Sequence, residues 1–287
     1  MSNSNKVWFI TGTSTGFGRH LAEEVIARGE RVVATARDPR TLDALVARAP
    51  DRVLSLRLDV TNGDEIRSAV EASLARFGVL DVVVNNAGYT LAGAVEETSD
   101  AELRQAFEPM FFGALAVTRA VLPHLRARGA GTIVQITSSA GLITGPGFGA
   151  YSAVKHALEA MSEALASEVA PLGIRVLIVE PGMFRTNLLG ASYRAMPPMV
   201  AYEKTLGSLY AYIESQKGAQ AGDPAKAAKA IADAVDTEAP TLRLPLGADA
   251  IQSIRGKLAQ VGADVDRNEP VALTTAFDDV PPALPPQ

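Results

Sequence analysis

The chain contains no cysteine, so it has no disulfide framework, no thiolate zinc site and no cysteine nucleophile. Its three histidines, His20, His124 and His156, are widely spaced, and no metal centre is expected from them. It also lacks an excess of positive charge. Lys and Arg total 27 against 32 Asp and Glu, a net of −5, which argues against a nucleic-acid binder held by phosphate contacts. No run approaches the roughly 18 consecutive apolar residues of a membrane helix. The opening residues, MSNSNK, lead into no signal-type apolar stretch. The expectation is a cytoplasmic protein with neither a membrane nor a nucleic-acid partner. What is present is ordinary for a globular protein: 287 residues, 47% hydrophobic and 21% charged. A chain of that length buries about three quarters of its unfolded surface, enough for a large core.

Short apolar runs alternate with amphipathic stretches along the chain. Segments 7–11, 31–36, 53–58, 80–84, 132–137, 174–179 and 241–244 are rich in Val, Ile and Leu and read as strands. Their near-continuous apolar character suits a parallel sheet covered on both faces. Helical patterns fill 18–28, 39–47, 64–77, 100–128, 151–170 and 224–237, and Gly29, Gly78, Gly129 and Gly173 fall where helix-terminating glycines belong. The alternation predicts an α/β protein, a doubly wound sheet in one domain spanning 1–287. Residues 187–222, rich in Met, Tyr and Pro, are too long for an ordinary connection and read as a substrate-loop or lid insertion. The last residues, 280–287, hold four prolines and read as a loosely held tail.

The first strand runs into Gly12-Thr-Ser14-Thr15-Gly16-Phe17-Gly18, and a helix follows. Glycines there permit a tight turn and let backbone N–H groups approach a pyrophosphate at the positive end of the helix. The same residues fit a nucleophile elbow centred on Ser14, which would need a histidine and an acid later in the chain; His124 and His156 both fall inside helical patterns. At the end of the second strand an acidic residue would bind ribose hydroxyls, and an arginine a 2′-phosphate. The chain reads Ala36-Arg37-Asp38, which favours NADP(H) over NAD(H).

Tyr151 and Lys155 lie four residues apart, on one face of a helix. A phenol is too weak an acid to exchange protons readily at neutrality. An ammonium group about 4–5 Å away, worth roughly 3–4 kcal/mol, is expected to bring it towards the range where a general acid/base works. Thirteen residues upstream of Tyr151, Ser138 ends a strand, at the sheet edge where α/β proteins bind ligands. Its hydroxyl is placed to hold a substrate carbonyl.

With these motifs together the sequence resembles the short-chain dehydrogenase/reductase family over about residues 6–190. It carries TGTSTGFG at 11–18, LDV at 58–60, NNAG at 85–88, Ser138 with YSAVK at 151–155, and PGMFRT at 181–186. The resemblance implies Tyr151 as acid/base, Lys155 as the ribose-binding group that lowers the tyrosine's pKa, and Ser138 as the substrate-orienting group. It places Asp59 and Val60 around an adenine, gives Asn86, Ala87, Gly88, Pro181, Gly182 and Phe184 as cofactor-binding residues, and places Thr186 near the nicotinamide. It also implies a Rossmann fold with a seven-stranded parallel sheet, order 3-2-1-4-5-6-7, and a homodimer or homotetramer.

One position departs from the family pattern. Where an asparagine usually stands in the long helix, this chain has Met110, preceded by Pro109. The asparagine is associated with a water linking the lysine to solvent, and a thioether replaces it poorly. The expected activity is interconversion of an alcohol and a ketone on an apolar small molecule, with Val95, Leu142, Phe148, Met183, Phe184, Tyr193, Met196 and Met199 as candidate lining. A slow or non-catalytic NADP-sensing protein and a Ser14 hydrolase are the alternatives.

Overall fold

The computed structural model describes residues 5–277, so the expected tail at 280–287 lies outside the described residues. In chain order the elements are β1 (Val7–Ile10), α1 (Gly16–Ala27), β2 (Arg31–Ala36), α2 (Asp43–Arg48), β3 (Val53–Arg57), α3 (Gly63–Phe77), β4 (Val82–Asn85), β5 (Thr90–Ala92), α4 (Asp100–Phe107), α5 (Ala114–Arg128), β6 (Gly131–Ile136), α6 (Gly149–Val169), β7 (Ile174–Pro181), β8 (Tyr193–Ala195), α7 (Glu203–Gln216), α8 (Pro224–Asp236), β9 (Arg243–Leu246) and α9 (Ala248–Ala272). Seven strands form one parallel sheet in the order β3-β2-β1-β4-β6-β7-β9. Counted along the chain, that is the expected 3-2-1-4-5-6-7. β5 and β8 pair separately, also in parallel, through Thr90↔Tyr193 to Ala92↔Ala195.

The strands are apolar throughout because both faces of the sheet are covered. In β1, Trp8 and Ile10 face a cluster built with Leu21, Val25 and Ile26 of α1 and Ile231 and Val235 of α8. Val7 and Phe9 face the opposite cluster, with Val70 of α3, Val121 and Leu125 of α5 and Leu165 of α6. Alternation along a strand thus distributes one apolar run over two cores. The edge strand β9 contains Pro245, tolerated because an edge leaves one row of N–H groups without a ladder partner. Gly29, Gly78, Gly129 and Gly173 take φ of 83°, 75°, 64° and 74°, the left-handed conformation that ends a helix.

The helical pattern at 100–128 is interrupted. α4 ends at Phe107, and Glu108–Gly113 forms a π-helical turn before α5. Pro109 accounts for this: it has no N–H to give the preceding turn, and its ring displaces the carbonyl four residues back. The wider turn brings Gly113 against the end of the third-strand region. A Cβ at Gly113 would stand 2.8 Å from Val60 Cγ2 and 2.9 Å from Val60 O. The insertion at 187–222 is largely structured, carrying β8 and α7.

Candidate active site

The sheet's order reverses between β1 and β4, which opens a crevice at their carboxyl ends. Thr11 and Asn86 tie the two strand ends together. Thr11 Oγ1 accepts from the N–H groups of Asn86 (2.9 Å) and Ala87 (3.0 Å). Asn86 Nδ2 donates to the carbonyls of Thr11 (2.9 Å) and Gly12 (3.0 Å). Gly18 packs beneath this knot, where a Cβ would stand 2.4 Å from Gly12 O and 2.5 Å from Asn86 Nδ2. Gly12 itself has φ of 70°. Thr15 caps α1 with no side-chain hydrogen bond, and the first turn has no acidic residue. The N–H groups of that helix end are therefore left to an anion, as a dinucleotide's pyrophosphate requires.

A cleft of about 610 Å³ runs from this turn across the strand ends. It is lined by Gly12, Ser14, Thr15, Gly16, Phe17, Arg37, Asp59, Val60, Asn86, Ala87, Gly88, Ser138, Tyr151, Lys155, Pro181, Gly182, Phe184 and Thr186. Of the catalytic and cofactor-binding positions nominated from the sequence, Gly18 alone is missing from the wall; it supports the turn from behind. Phe17 and Phe184 meet edge to face across the cleft, ring centroids 5.1 Å apart. Asp59 Oδ1 accepts from the N–H (3.0 Å) and hydroxyl (2.7 Å) of Thr61, and these bonds hold its carboxyl below the usual range. Thr186 Oγ1 accepts from Leu188 N at 3.2 Å, starting the insertion.

Tyr151 and Lys155 sit on the first turns of α6 and are both buried. Lys155 Nζ donates to Ile136 O at 3.0 Å and lies 5.8 Å from the centre of the tyrosine ring. Burial, partly offset by the Glu159 carboxylate, brings its pKa down to about 8. The tyrosine differs from expectation. Burial pushes its pKa up, with hydrogen bonding to Ser138 and to Thr90 pulling the other way. Four-residue spacing puts the two side chains on one face, but the amine reaches back to the β6 carbonyl rather than to the phenol. At Tyr151, desolvation outweighs the two hydrogen bonds.

Ser138 Oγ accepts from Ala140 N (3.1 Å) and donates to Pro181 O (3.4 Å), so its hydroxyl is held at the mouth of the β6–β7 crevice. Thr90 was not singled out from the sequence. It is 2% exposed, its Oγ1 has no well-aligned partner, and it lies close enough to influence the Tyr151 hydroxyl. Its backbone N–H donates to Ser192 O of the insertion, at 2.9 Å. A threonine two residues after NNAG was the available signal.

The apolar lining expected for the substrate is largely elsewhere. Of the eight residues named, only Phe184 lines the cleft. Met196 is in a buried cluster with Leu91, Met110, Tyr151 and Val154, while Phe148, Met183 and Tyr193 pack around Ala92, Leu189 and Ile213. Leu142 is half-buried outside the cleft, and Val95 and Met199 are exposed. These side chains are used to seat the insertion on the body. The outer cleft is instead polar, with Tyr89, Gln105, Glu108, Asn187, Ser192 and Arg194. Arg194 stacks 4.4 Å over the Tyr89 ring and donates to Gln105 Oε1 at 2.8 Å.

Met110 is 1% exposed, and a Cβ on Gly88 would come within 3.1 Å of its Cγ. The position the family gives to an amide is here a buried packing position among apolar side chains. Met110→Asn is therefore expected to destabilise the protein by about 2–4 kcal/mol, since a buried amide without partners replaces packed sulfur and methylene. Urea unfolding measures it. A variant as stable as the wild type would show that polar partners reach position 110.

A Ser14 hydrolase has no support. None of the histidines lines the cleft; His124 Nε2 accepts from Leu80 N at 3.1 Å, and His156 Nδ1 lies 2.8 Å from Ser152 O within α6.

Residues 6–196 match the short chain dehydrogenase family. The chain is 38% identical to the oxidoreductase calM of Penicillium decumbens, over 89% of this chain and 88% of that one. It superposes on a short-chain dehydrogenase from Streptomyces avermitilis with a TM-score of 0.90 and 49% identity, covering 96% of this chain and all of the other. A Burkholderia cenocepacia short chain dehydrogenase solved with NADP gives a TM-score of 0.72 at 27% identity, covering 93% and 98%. The protein belongs to the short-chain dehydrogenase family and is an oxidoreductase. Among the described residues, no helix is long and apolar enough to cross a membrane.

Proposed function

We propose that the protein is an NADP(H)-preferring oxidoreductase that interconverts a secondary alcohol and a ketone on a small molecule. The observation that carries this reading is the meeting of Tyr151, Ser138 and Lys155 at one end of a cleft whose other end is the glycine turn. The glycine turn, Asp59, Asn86 and Lys155 would hold a nicotinamide dinucleotide along that cleft, and when bound it would supply or accept the hydride. In the reducing direction the Tyr151 hydroxyl would give its proton to the carbonyl oxygen, and Ser138 would donate a hydrogen bond to that oxygen as it becomes negative. Lys155, held by Ile136 O, keeps a positive charge beside the resulting phenolate and helps it recover a proton. Thr90 offers a second hydroxyl to the same oxygen. Residues 187–222 act as a lid, since Asn187, Leu188, Ala191, Ser192 and Arg194 face the cleft from that segment. The polar outer cleft favours substrates with a hydrogen-bonding group remote from the carbonyl over the wholly apolar molecule expected from sequence. Screening ketones with both reduced cofactors tests the reading; no cofactor oxidation with any carbonyl class would overturn it.

The cofactor preference rests on the end of β2. Ala36 and Arg37 line the cleft, whereas the Asp38 carboxylate is engaged by Arg40 Nη2 at 2.8 Å and does not line it. A charge-assisted contact from Arg37 to a 2′-phosphate is worth roughly 1.5–3 kcal/mol, or about 10–150-fold. NADPH is expected to bind more tightly than NADH by that factor, and Arg37→Ala to remove most of it by weakening NADPH. Equal affinities for the two cofactors in fluorescence titrations of the wild type would refute the assignment.

A further inference from the structure

Among the described residues the longest helix is α9, and its contacts with the body of the described fold are at its start. Asp249 Oδ2 accepts from Met183 N at 2.7 Å, and Ala250 and Ile254 are buried against the body. From Leu258 to Ala272 every residue is exposed. By itself such an arm is a poor helix. It contains Gly262 and Pro270, each unfavourable in a helix interior, with Gly256 two residues before it, and fifteen residues is near the lower limit for an isolated helix in water.

The arm carries an unused apolar seam. Ile251, Ile254, Leu258, Val261 and Val265 recur at spacings of three and four, the a and d positions of a heptad. Along the seam Leu258 is 64% exposed, Val261 44% and Val265 63%. The positions flanking the seam change sign along the helix: Arg255 and Lys257 come first, Asp264 and Glu269 later. In a parallel pair the g position meets the e position of the next heptad, which would set Asp264 against the partner's Glu269. In an antiparallel pair g meets g, which sets Lys257 against the partner's Asp264, twice by symmetry. The same register stacks Leu258 on the partner's Val261, again twice, and brings Val265 towards the partner's Ile254 at the edge of the body.

We propose that α9 is a self-pairing arm, whose exposed seam packs antiparallel against α9 of a second copy of this chain. The charge order selects the second copy as occupant, because the surface is complementary to itself in one orientation and repulsive in the other. Pairing also supplies the tertiary contact that a helix with two glycines and a proline lacks.

The test is the mass of the full chain in solution, by light scattering and sedimentation. The wild type is expected to assemble in even numbers, and Leu258→Glu with Val265→Glu to halve the mass. Lys257→Glu, at a half-buried position, and Asp264→Lys, at an exposed one, are each expected to weaken association by roughly three- to tenfold. Their combination, which restores opposite charges across the pair, is expected to recover it. A monomeric wild type, an unchanged mass in the double glutamate variant, or a charge-swapped pair as weak as its singles would each overturn the proposal. Hydrogen exchange supplies an independent reading. Amides of 258–272 should be protected in the assembled wild type and lose protection on dilution; protection that is independent of concentration would mean the chain covers its own seam and would also overturn it.

Discussion

Tyr151→Phe is expected to lower turnover by about 10²–10⁴-fold while leaving NADPH affinity within about threefold. The substitution removes one oxygen and keeps the ring. That ring is 6% exposed and shares a buried cluster with Leu91, Met110, Val154 and Met196, all of which the phenylalanine can still contact. What disappears is the phenolic proton beside the Ser138 hydroxyl at the cleft wall. Lys155 keeps its bond to Ile136 O, so the group placed to hold the cofactor ribose is unaffected. The cost to folding should be small, since Ser138 keeps its bonds to Ala140 N and Pro181 O when the phenol oxygen is removed. Steady-state loss of nicotinamide absorbance with a ketone that the wild type reduces measures turnover, and fluorescence titration measures binding. Turnover within threefold of the wild type would mean that another group supplies the proton.

Much of this arrangement is legible in the residues because it depends on local pattern. A parallel sheet covered on both faces follows from seven apolar runs that lack alternation, whereas its strand order came from the family resemblance. The glycine turn, Ser138 and the Tyr151/Lys155 pair are fixed by spacing within single elements, and all of them reach the same cleft. Other features come from contacts between distant elements and leave no period. β5 and β8 have three residues each, and their pairing becomes visible only once the insertion has folded back over the cleft. Thr90 acquires its place beside Tyr151 through that same fold. Pro109 signals trouble in a long helical pattern, but nothing local says that a π-helical turn will absorb it. The apolar residues of the insertion point to burial, yet composition does not distinguish lining a cavity from seating a lid. The tyrosine's pKa belongs to this group. Spacing reveals the attraction of a lysine four residues away, whereas desolvation depends on the whole cluster packed around both groups.

Desolvation also makes Lys155→Met informative, because stability and activity should move in opposite directions. The folded-state pKa of Lys155 is depressed from 10.5 to about 8, mainly by burial. Below pH 8 the amine is protonated in both folded and unfolded chains, and the full penalty of burying the charge stands. Between about 8 and 10.5 the unfolded chain binds more protons than the folded one, so stability rises with pH and the penalty is relieved. A displacement of that size corresponds to about 3 kcal/mol. The bond to Ile136 O, lost in the variant, returns about 1 kcal/mol. In the absence of cofactor the methionine variant is therefore expected to be more stable at pH 7 by about 2 kcal/mol, a rise of roughly 3–6 °C in the thermal midpoint. The advantage should shrink as the pH is raised from 8 to 10.5 and vanish or reverse above it. Turnover should fall by at least about a hundredfold, because the phenolate loses its neighbouring positive charge and its route to a new proton. Thermal melts of both proteins across this pH range, beside turnover at neutral pH, make the comparison. An inactive variant that is less stable at pH 7 would mean that Lys155 holds the site together through its hydrogen bond. A stabilised variant that still turns over would place proton recovery elsewhere, with the Thr90 hydroxyl the nearest group to examine.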